Sequence, residues 1–274
     1  MPGEIAVCSI DHGLREEAAD EVALVKALCA NLQVPFTAQA ITVEQGNLQA
    51  NGRAARYAAL ERWATAQNLD AVATAHHADD QAETVLMRLA RGSGLSGLSG
   101  IRAATHLPDS NIALIRPLLG VLKVELEACV RLANVTPARD PSNADRSFDR
   151  VRMRFHLAEQ DWLDAEPLAA SAAHLAQSWE ALEWYAERDW ESNVSALGTT
   201  YRYVALAPRA IQVEVLRRII SELGGEVIRS EAGRAADRLS RGENASLGGV
   251  LAVCETRKDA HVWRFSPEPP RNQS

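Results

Sequence analysis

Paired cysteines are the first thing this chain lacks. Cys8, Cys29, Cys129 and Cys254 are far apart, and no Cys-x-x-Cys occurs. That spacing argues against a zinc ribbon or a disulfide frame and fits a reducing cytoplasm. No run of about 18 apolar residues exists, so no transmembrane helix and no membrane partner is expected. Met1-Pro2-Gly3-Glu4 has no basic start and leads into only a short apolar run, so no signal peptide is expected either. Internal repeats and low-complexity tracts are absent. Positive charge is in deficit, with a net charge of -7, which speaks against nonspecific nucleic-acid binding.

What is present is enough for a substantial core. A chain of 274 residues that is 47% apolar makes one large domain or two small ones. Glu4 to Ile10 reads as a strand ending in Asp11-His12-Gly13. Glu16 to Asn31 follows as an amphipathic helix, with Ala18, Val22, Val25, Leu28 and, just beyond its end, Leu32 as the apolar stripe. Phe36 to Val43 is a second strand, Asn51 to Gln67 a helix, Ala71 to Ala75 a third strand and Ala78 to Arg91 its helix. This alternation specifies an α/β fold, a parallel sheet with helices on both faces. Four glycines in nine residues, Gly92 to Gly100, predict a flexible loop. Ile112 to Ile115 offers a fourth strand and Lys123 to Ala133 another helix.

Near residue 160 the texture changes. An Ala-rich helical stretch, Ala165 to Arg188, carries unusual tryptophan weight. A smaller, mainly helical α+β unit follows, with strands at Tyr201 to Leu206, Ser246 to Cys254 and Ala260 to Phe265. Its helices are Pro208 to Leu223 and Ser230 to Arg241. The expected organisation is a domain at 1–160, a second at 161–266 and a disordered tail at 267–274. Trp179, Trp184 and Trp190, with Tyr185, have the spacing of ordinary helix packing, with base stacking as the alternative.

The chemistry is concentrated at Ala75 to Thr84, Ala-His-His-Ala-Asp-Asp-Gln-Ala-Glu-Thr, where the third strand hands over to its helix. Open α/β sheets put their ligands at such a point. Asp80 and Glu83, three apart, share a helix face, while Val85, Leu86 and Leu89 take the opposite, buried stripe. Two acids at a helix N-terminus would also suit its dipole, but that leaves His76, His77 and Asp79 unexplained. His76 and Asp80 have a metal-ligand spacing, yet no third and fourth ligand suggests itself, so no metal site is assigned. A basic segment, Arg139, Arg146, Arg150, Arg152 and Arg154, reads either as a selective RNA contact or as a surface paired to Asp140, Asp145 and Asp149.

That central stretch, followed by Arg91-Gly92-Ser93-Gly94-Leu95-Ser96-Gly97-Leu98, closely resembles the tRNA(Ile)-lysidine synthases of the PP-loop ATP pyrophosphatase superfamily. Asp11-His12-Gly13-Leu14-Arg15, Arg53-Ala54-Ala55-Arg56-Tyr57, Arg116-Pro117-Leu118-Leu119 and Asp140-Pro141-Ser142-Asn143 agree with it, in the family's order, over residues 4 to 156. The resemblance implies ATP with Mg2+, L-lysine and a tRNA(Ile) with a CAU anticodon as reactants, and it allows a homodimer. Asp80 and Glu83 match the family's lysine-contacting carboxylates. Arg53, Arg56 and Arg150 are the candidates for stabilising phosphate charge, with His76 and Arg154 beside the substrate. Asp11, His12, Gly92 and Gly94 would lie near the nucleotide. Where the family usually has Arg-Asn, this chain has Arg150-Val151, so the neighbour's role is not carried over.

One departure is larger. The superfamily's Ser-Gly-Gly-x-Asp-Ser loop, which cradles pyrophosphate and supplies an Asp for magnesium, occurs nowhere in this chain. The first strand here matches the family's second, so the family's central strand and loop are expected upstream of Met1, in a start placed too far downstream. Without that strand, Glu4 to Ile10 and Ala71 to Ala75 must pair with each other or leave free edges, and each buried unpaired peptide group costs about 1 to 3 kcal/mol. A non-catalytic RNA-binding remnant is the alternative from another class. A tRNA-thiolating enzyme is disfavoured by the missing cysteine pair.

Overall fold

In the computed structural model, residues 5–11, 18–42, 48–138, 145–257 and 260–268 are described. His12 and the Asp140-Pro141-Ser142-Asn143 motif lie outside them. The element order runs β1 (Val7–Asp11), α1 (Ala18–Asn31), β2 (Phe36–Ala40), α2 (Leu48–Ala66), β3 (Ala71–Ala73) and α3 (Ala78–Leu89). After these come α4 (Leu95–Leu98), β4 (Ala104–His106), β5 (Ala113–Ile115), α5 (Lys123–Leu132), α6 (Asp149–Ala158) and α7 (Ala165–Asn193). The strand and helix alternation read from the sequence is therefore present. β4 is an addition, because Ala-Thr-His has no apolar period to announce it.

The parallel strands form two pieces. β1 pairs in parallel with β2, Cys8 opposite Thr37. Separately, β3 pairs in parallel with β5, Ala73 opposite Ile115, and β4 joins the far edge of β5 antiparallel. β1 and β3 do not pair with each other, so of the two outcomes weighed from sequence, free edges are the one found among the described residues. Both pieces pack on one core. Tyr57, Leu60, Trp63 and Ala64 from α2 recur at helical spacing and bury against Val72 of β3, Leu114 of β5 and Leu107, with Ala6, Cys8 and Ile10 of the β1 segment alongside.

Two apolar stripes depart from expectation. On α1, Leu28 and Leu32 are exposed and Cys29 is the buried position, because a two-stranded sheet is too narrow to cover the whole stripe. On α3, Leu89 is 56% exposed while Gln81 and Glu83 are buried. Val85 of the expected stripe is buried, and the polar face is covered too, since α6 packs on it.

The chain divides into two compact units at Ala176/Gln177, inside α7. The second unit holds β6 (Val194–Leu197), β7 (Thr200–Val204), α8 (Arg209–Glu222), α9 (Arg229–Ser240), β8 (Ala245–Leu247), β9 (Val250–Arg257) and β10 (Ala260–Pro267). Its sheet is antiparallel in the order β6-β7-β10-β9-β8. The single strand expected at Ser246 to Cys254 is two strands, because Gly248 and Gly249 both take positive φ and turn the chain into a hairpin. Ile211, Leu216, Ile219 and Ile220 of α8 and Ala232, Ala236 and Leu239 of α9 pack on the sheet's inner face with Tyr203, Trp263 and Phe265. Trp179 is buried and Trp190 packs against Tyr201, as packing would have them, but Trp184 stays 59% exposed under Arg188.

One polar cluster ties α7 to this sheet. Asp189 is buried and accepts from Tyr203 Oη at 2.6 Å and Asn193 Nδ2 at 2.7 Å. Burial and that carboxylate push the Tyr203 phenol well above its ordinary range. Hydrogen bonds to a charged group contribute about 1.5 to 3 kcal/mol. Tyr203→Phe is expected to lower unfolding free energy by about that amount in urea titration, with the slope unchanged; no change would remove the bond from the account.

Candidate active site

Short apolar β3 ends at Ala73, and Thr74 continues its ladder by donating its N–H to the Ile115 carbonyl at 3.0 Å. His76 and His77 then turn the chain into α3. The His77 backbone N–H donates to Asp80 Oδ2 at 3.1 Å, fixing the first turn, and Ala78 donates to the Val121 carbonyl at 2.9 Å. Asp79 Oδ2 accepts the Lys123 N–H at 2.8 Å and so holds the start of α5. The His77 ring lies 3.4 Å from Asp79 and 3.5 Å from Asp80.

The acids of α3 meet the arginines of α6. Glu83, with its side chain 1% exposed, accepts from Arg150 Nε at 2.7 Å through one oxygen and from Arg154 Nε at 2.7 Å through the other. Arg150 Nη2 also donates to Asp80 Oδ1 at 2.9 Å. Glu83 raises the Arg154 pKa, chiefly by hydrogen bonding. The sequence placed these four residues in one site, and they are together. It did not anticipate that Glu83 would be sealed beneath both guanidiniums, whereas Asp80 and Asp79 keep side-chain exposures of 16% and 37%.

The rest of the basic segment splits. Arg152 pairs with Asp149, as the paired-surface reading had it for that residue, and Arg146 stacks on Phe155 at 4.1 Å. Arg139 lies outside the described residues. Arg53 and Arg56 flank the buried Tyr57 ring at 4.8 and 5.5 Å, and neither has a carboxylate partner among the described residues. Asp11 closes β1 half-buried.

His76 sits among these charges. Burial lowers its pKa to about 4; Asp80 opposes the shift, while Arg116, Arg150 and Arg53 add to it. Its Nδ1 shares a hydrogen bond with Thr74 Oγ1 at 3.1 Å. The imidazole is therefore neutral at pH 7.

The glycine-rich segment is not the flexible loop its composition predicts. It contains α4, and one side chain captures its carbonyls while two more hold the backbone just after it. Arg88 Nη1 donates to Gly97 and Gly100 at 2.7 and 2.8 Å. Gln81 bridges Ile101 at both its N–H, 2.6 Å, and its C=O, 3.0 Å. Arg116 Nη1 donates to the Arg102 carbonyl at 2.7 Å. Gly100 takes φ +66°, and a Cβ there would meet the Gln81 amide at 2.3 Å, so glycine is required. Gly92 and Gly94 stand exposed with open space around them. The sequence reading missed Gln81 and Arg88. The signal for Gln81 was its place between Ala78 and Ala82 on the buried stripe, since a polar group there must find partners.

Residues 2–161 match the family model described as "PP-loop domain". A tRNA(Ile)-lysidine synthase of Novosphingobium aromaticivorans is 43% identical over 98% of this chain and 82% of its own. That of Zymomonas mobilis is 34% identical over 98% and 83%. The chain belongs to the tRNA(Ile)-lysidine synthase family. Membership brings the PP-loop domain and accords with the α/β architecture of the first unit. Among solved structures, the U34-tRNA thiolase NcsA of Methanococcus maripaludis superposes with TM-score 0.48 at 15% identity, over 64% of this chain and 61% of its own, too slight a likeness to argue from.

Two expectations follow from the geometry. Glu83→Ala leaves two arginines without their shared carboxylate. Since both are partly exposed, the loss is set below the 3 to 5 kcal/mol of a fully buried pair, at about 2 kcal/mol. It is read by urea unfolding together with faster amide exchange across 149–158; unchanged exchange there would show that α6 is held by something else. For His76 the folded pKa lies below the ordinary 6.5, so the unfolded chain takes the proton first. Stability is therefore full above about pH 6.5 and declines as pH falls toward 4. His76→Asn is expected to flatten that part of a pH series of urea midpoints.

Proposed function

We propose that this chain attaches L-lysine to C2 of the wobble cytidine of a tRNA(Ile) with a CAU anticodon, using ATP. Relatives named tRNA(Ile)-lysidine synthase align with nearly the whole chain. The observation that carries the assignment of roles is the interleaved acid and arginine network of α3 and α6 at the ends of β3 and β5. In the reaction the cytidine C2 oxygen takes an adenylyl group from ATP and releases pyrophosphate. The lysine side-chain amine then forms the C2–N bond, AMP leaves with the C2–O oxygen, and the amine gives up a proton.

The network suits both halves. Asp79, Asp80 and Glu83 against Arg150 and Arg154 leave one net negative charge, which suits one substrate cation. Asp80 is the acid best placed to receive it, because Glu83 is closed off and Asp79 is more exposed. A neutral His76 adds no repulsion toward that cation. When an ammonium shares Asp80, the Nη2 of Arg150 loses its partner and becomes available to negative charge on phosphate oxygens. Arg53 and Arg56, without carboxylate partners among the described residues, are assigned to the phosphates. Glu83 then acts through Arg150 and Arg154 as a positioning residue.

Magnesium is assigned to the nucleotide's own phosphates. No group of three or more His, Cys, Asp or Glu among the described residues could hold a metal. No helix is long and apolar enough to cross a membrane, again among the described residues. We assign the reaction to the cytoplasm, and we assign tRNA contacts to the second unit. A homodimer stands as an expectation for sedimentation analysis.

The test is transfer of labelled lysine to a tRNA(Ile) transcript with a CAU anticodon, in the presence of ATP and magnesium. Transfer to that transcript and not to its G34 counterpart is expected, and absence of transfer in folded protein that also carries the pyrophosphate-cradling loop rejects the reading. Asp80→Asn is expected to raise the KM for lysine about 10- to 100-fold, the equivalent of one charged hydrogen bond. An unchanged KM would move the lysine contact off Asp80.

A further inference from the structure

Arg116 opens a motif to which the reaction above gives no task. The parallel register puts Ala73 opposite Ile115, so Arg116 follows β5 just where Thr74 follows β3, two residues from His76. Ligands of open α/β sheets bind at such strand ends. Arg116 is 6% exposed.

Its guanidinium is only half satisfied. Nη1 donates to the Arg102 carbonyl at 2.7 Å and reaches Thr105 Oγ1 at 3.4 Å. Among the described residues, Nε is buried without a partner and Nη2 makes no bond. No carboxylate pairs with this cation among the described residues. The vacant edge, Nε–H beside Nη2–H, is the fork that takes two oxygens of a phosphate or carboxylate at once. Burying an unpaired charge is costly, and a buried donor without an acceptor adds to the cost. A structural arginine that only tied Arg102 in place would gain from a carboxylate at that edge. A receptor for an incoming anion must lack one.

We propose that the Nε/Nη2 edge of Arg116 binds a phosphoryl oxyanion of a nucleotide polyphosphate. This rests on the ATP-dependent reading, but it does not depend on lysine transfer. The Arg116 fork holds two oxygens of one phosphate, while Gln81, Arg88 and Arg116 Nη1 hold the segment from Gly97 to Arg102 in place behind it.

The experiment is calorimetric titration of the whole chain with inorganic pyrophosphate alone, at fixed ionic strength, for wild type, Arg116→Gln and Arg116→Lys. Near-UV circular dichroism verifies the fold of each. Wild type is expected to bind, Arg116→Gln to bind at least tenfold more weakly, and Arg116→Lys to fall between, because an ammonium keeps the charge and loses the fork. If Arg116→Gln does not fold, Arg116→Lys decides: a folded lysine variant that binds as wild type does overturns the proposal. So does a wild-type chain that does not bind pyrophosphate, or a folded Arg116→Gln that binds it normally. Filter binding of the tRNA transcript without ATP separates the other source of phosphate. Unchanged tRNA affinity in Arg116→Gln supports a nucleotide site; a tenfold loss there with pyrophosphate binding intact overturns it in favour of RNA backbone. Failure of lysine transfer with pyrophosphate binding retained would count against the proposed reaction and leave this site standing.

Discussion

The burial of Glu83 is the constraint on which the rest of the first unit depends. A carboxylate with its side chain 1% exposed can persist as an anion only if charge and hydrogen bonds replace the water it has lost. Here both of its oxygens are taken by guanidinium nitrogens from another helix. That requirement draws α6 onto α3 although the two are separated by more than fifty residues of sequence, and it turns the polar face of α3 inward. The apolar stripe is buried as well, at Ala78, Ala82 and Val85, and its cover stops short of Leu89.

The alternation of strands and helices was legible because it rests on local properties: apolar runs, helical period and turn residues. So was the gathering of His76, Asp80, Glu83, Arg150 and Arg154, although that came from a resemblance and not from spacing. What could not be read is which of two acids, three residues apart on the same helix, faces solvent. That depends on a partner helix whose position no local signal encodes. The Gly92 to Gly100 segment shows the same limit from the other side. Its glycines report backbone freedom, and freedom predicts a loop. The order comes from Gln81, Arg88 and Arg116, residues from the helix before it and the strand after it. The Gly248-Gly249 turn was missed for a simpler reason, since two glycines inside an apolar run were read as part of one strand.

The carboxylates and guanidiniums are also arranged unequally. Within the α3 and α6 network, every arginine has an acid, and the acids exceed the arginines by one. Around Arg116, Arg53 and Arg56, no acid is paired among the described residues. A reaction that brings a cationic amine to a centre activated by phosphate needs both kinds of place close together. If they merged, the charges would cancel and neither substrate group would gain from the low dielectric around it. Arg150 belongs to both, because it touches Asp80 and Glu83 and also bears on His76 with Arg53 and Arg116.

His76 feels charges from both places. As a cation it would extend the arginine field over Asp80 and repel an incoming ammonium. As a neutral imidazole it is a polar wall that carries no charge of its own. Its neutrality comes from burial first and from the surrounding arginines second, with Asp80 pulling the other way. Burial, more than the neighbouring charges, sets the protonation state of this ring. The register that sets Ala73 opposite Ile115 brings His76 and Arg116 to the same edge of the sheet. A slip of one residue in that pairing would turn every side chain of the short strand to the other face and take this balance apart.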